Sequence, residues 1–229
     1  MRKLALLLIA LAGVFAALPA AAQKHYESNI AVGVKGGMSL ARMTFTPKIP
    51  QYWFPGMMLG VSFRYIEETH FGLIAEVNFV QRGWKESFEK TQLEYQHRIN
   101  YIMVPLLTHI YFGTARCKFF FNLGPEIGFM ISNAVSSNCD YNHPEQVPEF
   151  PMEFRSIAQY QLDIARKFDY GIAAGLGFEY RTKGKSSFNL EGRYYYGIGN
   201  VFNNRKSDAF SMSSGMTIEV TLGYSFRVK

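Results

Sequence analysis

A chain of 229 residues that is 48% hydrophobic and 16% aromatic has ample material for an ordered core, which excludes a disordered protein. Its formal charge of +6 falls to +4 once Arg2 and Lys3 are set apart with the leader, leaving 22 basic residues against 18 acidic. No Lys/Arg cluster is interleaved with aromatics, so nucleic acid is excluded as a partner.

The first 22 residues, MRKLALLLIALAGVFAALPAAA, put Arg2 and Lys3 before an apolar run from Leu4 to Leu18 and then small residues, the pattern of a secretory signal peptide. Ala20 and Ala22 fit the small-x-small rule, so cleavage is expected between Ala22 and Gln23, with one domain over 23–229. After the leader no segment approaches about 18 consecutive apolar residues, which excludes spanning helices. An exported chain of this kind either stays soluble or enters an outer membrane as a barrel, whose strands leave a weaker hydropathy signal.

Alternation with a period of two separates these destinations. The first strand sets Ile30, Val32, Val34, Met38 and Leu40 against Ala31, Gly33, Lys35, Gly37 and Ser39. The second sets Met57, Leu59, Val61, Phe63 and Tyr65 against Gly60, Ser62 and Arg64; the third sets Leu73, Ala75, Val77 and Phe79 against Glu76, Asn78 and Arg82. The fourth, Tyr101 to Phe112, is apolar on both faces and says least. In the fifth, Phe119, Phe121, Leu123, Ile127 and Phe129 oppose Lys118, Asn122 and Glu126. The sixth opposes Tyr170, Ile172, Leu176, Phe178 and Tyr180 to Asp169, Glu179 and Arg181. The seventh, FNLEGRYYYGIGN, opposes Phe188, Leu190, Tyr194, Tyr196 and Ile198 to Asn189, Glu191, Arg193 and Tyr195. The eighth opposes Ile218, Val220, Leu222, Tyr224 and Phe226 to Thr217, Glu219, Thr221 and Arg227.

Each strand reaches the length of about 10 residues that crosses a bilayer at a tilt, and no charge falls on any apolar face. Aromatics near the ends of those faces, such as Tyr65, Phe112, Phe119, Tyr170, Tyr180, Tyr194, Tyr196 and Phe226, are spaced as interface girdles. Connections alternate long (42–56, 83–97, 132–166, 201–214) and short (67–70, 113–117, 182–187). The expected fold is all-β: an eight-stranded antiparallel up-and-down transmembrane barrel of OmpA/OmpX-like size, short turns and both termini in the periplasm.

The stretches YIMVPLLTHIYFG, KFFFNLGPEIGFMIS, FDYGIAAGLGFEYR and IEVTLGYSF resemble the PorT-like family of small outer-membrane β-barrel proteins of the Bacteroidetes lineage, often labelled porin-family proteins. The resemblance runs from Gly33 to Phe226 and its motifs are fold signatures without an active site. It implies a barrel in the outer membrane of a Gram-negative bacterium and, in some members, a part in protein secretion. Many relatives carry an acidic residue before the IPLL-like segment, where this chain has Met103.

If the apolar faces meet lipid, the opposite faces bring Lys35, Arg64, Arg82, Arg181, Arg193 and Arg227 together with Glu76, Glu126, Asp169, Glu179, Glu191 and Glu219. An eight-stranded interior is only wide enough to be filled by side chains, so these twelve should form an ion-pair network that plugs the lumen. Gly124, Gly128, Gly171, Gly175, Gly177 and Gly223 would make room for long Arg and Tyr side chains.

Neither catalysis nor a cofactor is expected. The histidines, His25, His70, His97, His109 and His143, are scattered, with His97 and His143 read as exposed loop residues, and no metal-ligand spacing or phosphate-binding loop is present. Cys117 and Cys139 fall on opposite sides of the membrane in this topology, so they should not pair. The longest connection, 132–166, rich in Pro and irregular, is a candidate partner surface, and FRSIAQYQLDIARKF, which follows its Pro-rich part and runs into strand six, is either a short helix or an extension of that strand. The expected partners are outer-membrane lipid and proteins docking at the loops or turns of a monomeric barrel. The expected role is structural, adhesive or in secretion assembly, with a small diffusion porin and a lipid-modifying enzyme as alternatives.

Overall fold

In a computed structural model of the chain, residues 29–66, 70–88, 92–141, 143, 146–147, 157–205 and 208–228 are described. The expected leader, its cleavage point at Ala22 and Gln23, and His25 lie outside them.

Nine strands form one antiparallel sheet: β1 (Asn29–Thr46), β2 (Gln51–Tyr52), β3 (Phe54–Ile66), β4 (Phe71–Glu86), β5 (Tyr95–Gly113), β6 (Cys117–Ser137), β7 (Phe168–Arg181), β8 (Ser186–Gly197) and β9 (Met212–Arg227). Setting aside the two-residue β2, which pairs with β4, each strand pairs with its neighbours in sequence, and β1 pairs with β9 to close a ring of eight. Over the registers that neighbouring strands share, closure leaves no free sheet edge, and the backbone donors and acceptors there pair within the ring, as a hydrocarbon environment demands. One four-residue helix, α1 (Ala158–Gln161), lies in the longest connection.

The faces follow the alternation read from the sequence. Val34, Leu59, Val77, Leu106, Leu123, Leu176, Leu190 and Leu222, one from each strand of the ring, point outward and are exposed. Their pleat neighbours Lys35, Glu76, Asn122, Glu191 and Thr221 point inward and are buried. Aromatic belts bound this apolar band, with Phe112, Phe119, Tyr180, Phe188 and Phe226 towards the tight turns and Phe129, Phe168, Tyr170 and Tyr196 towards the long connections. Asn29 pairs with Ile66 and Ala31 with Arg227, so the start of β1 and the end of β9 share the tight-turn end.

The strands are longer than the sequence reading has them, by an amount concentrated at the long-connection end. Residues 42–46, 83–86, 95–97 and 132–137, read as loop, are strand. Above the band their outward side chains turn polar, as at Gln96, Arg98 and Asn100, which removes the hydropathy signal while the backbone ladder continues. Inside this raised rim lies a hydrophobic cluster that includes Met43, Phe45, Trp84, Tyr95, Tyr141, Ile164, Phe202 and Phe210.

Candidate functional site

Three ion-pair clusters occupy the lumen, stacked along its axis. Nearest the tight turns, Arg64 on β3 reaches across to Glu179 on β7 as a two-pronged pair, Nη1 to Oε2 at 2.7 Å and Nη2 to Oε1 at 3.1 Å, and Arg181 Nε donates to Glu179 Oε1 at 2.8 Å. A guanidinium fork matches a carboxylate in this way because its N–H groups are coplanar and fixed. In the middle cluster, Arg193 on β8 donates to both oxygens of Glu76, at 2.8 and 3.0 Å, and to Glu191 Oε1 at 2.9 Å. Lys35 Nζ sits 2.6 Å from Glu76 Oε2 and 3.5 Å from Glu191 Oε2. Asn78 and Asn122 donate to the same carboxylates at 2.8 Å each, and His109 Nδ1 lies 2.7 Å from Asn122 Oδ1.

The upper cluster is different in balance. Arg82 on β4 meets Glu126 at 2.7 Å, Asp169 at 3.3 Å and Glu219 at 3.4 Å, and its guanidinium lies 3.8 Å from the centre of the Tyr195 ring. One cation therefore holds three carboxylates from β6, β7 and β9. Eleven of the twelve residues expected in a lumen network make these contacts. Arg227 makes none of them; it ends β9 at the tight-turn mouth, paired with Ala31 and half-buried.

The expectation for the lumen glycines holds in part: a side chain at Gly171 would run into the Tyr195 ring, whereas one at Gly128 would meet Met103, one at Gly175 Glu191, one at Gly177 the Phe120 ring and one at Gly223 Asn189, with no Arg among these nearest groups. Met103, at the position for which the PorT-like resemblance implies an acid, is fully buried in the hydrophobic cluster and lies against Gly128. The space left among these side chains is small, about 30 Å3 beside Lys35, His109 and Glu191 and about 10 Å3 beside Arg82 and Thr217. Holes of that size admit a water molecule and not a solute.

Above the clusters the mouth is capped. Phe45 packs on Trp84 at 5.3 Å and on Phe210 at 5.2 Å, and Phe202 stacks on Phe210 at 5.6 Å between ring centres. The segment containing α1 folds inward: Gln159 Nε2 donates to Glu86 Oε1 at 3.1 Å and Tyr160 OH to Glu86 Oε2 at 2.7 Å, while Tyr160 packs on Tyr95 at 4.7 Å. The described end of the longest connection is thus a lid with a short helix in it. His97, expected in an exposed loop, is buried on β5 against Trp84 at 4.5 Å, and neither ring nitrogen has a hydrogen-bond partner among the described residues. It lies beyond the apolar band, and burial lowers its imidazole to about 4, so it is neutral. His143 is exposed and His109 is buried in the lumen.

Glu86, Trp84 and His97 are not legible from alternation, because the inward phase runs on beyond the point where the outward face turns polar. On β4 it continues from Arg82 through Trp84 to Glu86, and on β5 from Tyr101 back through Ile99 and His97 to Tyr95. Cys117 and Cys139 are free and lie at opposite ends of β6, a full strand length apart. Among the described residues no group of His, Cys, Asp or Glu is arranged to hold a metal ion.

No curated protein matches the sequence. Among solved structures, the outer membrane protein OprG from Pseudomonas aeruginosa superposes with a TM-score of 0.51 at 13% identity, over 86% of this chain and 95% of that one. Ail, the attachment invasion locus protein of Yersinia pestis, follows with a TM-score of 0.41 at 13% identity, over 86% of this chain and 99% of that one. Neisserial surface protein A gives 0.43 at 12% identity, over 86% and 97%. At its identity the likeness to OprG is one of fold. The family model described as an outer membrane protein beta-barrel domain matches residues 21–203. With a closed ring, an apolar outer band and a salt-bridged interior behind that match, the chain belongs to the outer membrane protein β-barrel domain family.

Proposed function

We propose that this outer-membrane barrel is a non-enzymatic structural component that works through its raised, capped end, as an adhesive or secretion-assembly element, and does not conduct solutes. The observation that carries the reading is the filled lumen: Arg64 and Arg193 tie strands on opposite walls together, and above them Arg82 on β4 gathers carboxylates from β6, β7 and β9, under an aromatic cap. A diffusion channel needs a continuous aqueous path, and these side chains occupy it. The stretches shared with PorT-like proteins, such as YIMVPLLTHIYFG, favour that type within the family and leave room for a part in protein export. The long-connection end is assigned to the cell exterior and both termini to the periplasm, as in single-chain barrels with short periplasmic turns. Recording from planar bilayers tests the reading: the purified barrel should give no reproducible conductance steps, and steps of fixed size would replace it with a small porin.

A further inference from the structure

Outside the lumen, one concavity faces sideways from the raised rim. It lies between the β1–β3 connection and the β4–β5 connection and measures about 630 Å3, within the range of about 300–1,000 Å3 typical of small-ligand sites. Tyr52 and Trp53 form one wall, 56% and 40% exposed. Gln92, Glu94 and Gln96 form the other, with Lys85 between them.

Both walls are fixed from behind. The Gln51 side chain accepts from Met43 N at 3.2 Å and donates to Met43 O at 3.0 Å and Ile49 O at 3.2 Å, which locks the residue before Tyr52 to β1. Gln51 and Tyr52 also pair with Glu86 and Lys85 as β2. Across the cleft, Asn138 Nδ2 donates to Gln92 O at 2.6 Å and Asn138 Oδ1 accepts from Glu94 N at 2.9 Å. The girdle aromatics elsewhere stack on one another, as Phe112 does on Phe119 and Phe168 on Tyr170. Among the described residues neither Tyr52 nor Trp53 stacks on another ring, and the side-chain amides of Gln92 and Gln96 have no hydrogen-bond partner. Unstacked aromatic faces carried on backbone that is hydrogen-bonded at Gln51 and Tyr52, opposite unpaired amides, form a recognition surface whose walls are already in place.

We propose that this lateral cleft binds the sugar rings of a saccharide. A pyranose presents a face of C–H bonds that lies flat on an aromatic ring and a rim of hydroxyls that both donate and accept, which planar amides and carboxylates match. The cleft's charge is nearly balanced, Lys85 lying 3.5 Å from Glu94, so it is not built for a polyanion. Pro55, at the foot of the cleft, pairs with Leu40 on the outward apolar face, so the opening sits where the apolar band gives way to water. The sugar is therefore either a free oligosaccharide or the headgroup of a glycolipid in the adjoining leaflet. The inference does not depend on whether the lumen conducts.

Trp53 reports on its own site, since the second tryptophan, Trp84, is fully buried in the cap. The full barrel, refolded in detergent, is titrated with chitobiose and with maltose while tryptophan emission is followed; separately it is reconstituted into phosphatidylcholine vesicles with and without lipid A. Saturable change with a free disaccharide identifies a free-saccharide site, and change confined to lipid A vesicles identifies a glycolipid headgroup site. Gln96→Ala and Tyr52→Ala should each weaken the response about tenfold, the loss of one hydrogen bond or one stacking face, without altering heat-dependent gel mobility. Emission insensitive to both disaccharides and to lipid A, or variants that bind as the parent does, would overturn the proposal and identify Tyr52 and Trp53 as interface anchors.

Discussion

Arg82 is the residue on which the upper lumen turns. It is buried with Glu126, Asp169 and Glu219, so removing it leaves three carboxylates without their shared cation. Breaking a buried pair from one side costs roughly 3–5 kcal/mol, because the desolvated partner stays behind. Arg82→Met should therefore lower the urea midpoint of the refolded barrel sharply, whereas Glu219→Gln, at the longest of the three contacts, should change it little. His97 makes a pH prediction outside the membrane band. Its folded value of about 4 lies below the ordinary histidine value of 6.5, so the unfolded chain binds the extra proton between these limits. Stability from this residue is complete above pH 6.5 and is lost as pH falls towards 4, by on the order of 3 kcal/mol. Denaturant titrations at pH 7 and pH 4.5 should show that loss, reduced in His97→Phe.

At the scale of elements, the barrel and its lid are held by different forces. The strands are fixed by a closed ladder and the lumen pairs, whereas α1 is a four-residue helix with no side-chain cap. A helix that short has no stability of its own and stays where Gln159 and Tyr160 reach Glu86. Glu86→Ala should release this segment while leaving the ring intact: limited proteolysis should cut within 157–167 much faster, and heat-dependent gel mobility should persist. Most strand positions within the band were legible from alternation, because lipid outside and salt bridges inside impose opposite chemistry on successive residues. The strand extensions were not legible, because above the band both faces meet polar surroundings or a local core. Gln96 and Arg98 point outward there, and a polar outward face beside inward Tyr95, His97 and Ile99 reads as loop unless the inward phase is carried through.

For the molecule as a whole, the two cysteines supply a test of orientation. Cys139 lies at the long-connection end and Cys117 at the tight-turn end, each half-buried. In intact cells a membrane-impermeant maleimide should modify Cys139, and Cys117 should react only after the envelope is opened; the reverse order would invert the assigned topology. The sequence by itself determined the ring of spanning strands, the outward and inward face of each except the fourth, and the membership of the lumen set apart from Arg227. These are consequences of the pleat, which assigns successive side chains to opposite faces whatever the strand's neighbours are. Only the tertiary structure decided which carboxylate meets which cation, that Arg82 stands alone among three acids, and that the longest connection closes the mouth. Those depend on strand register and stagger around a closed ring, which bring Arg64 to Glu179 across 115 residues of chain. Local pattern carries no record of distances of that kind.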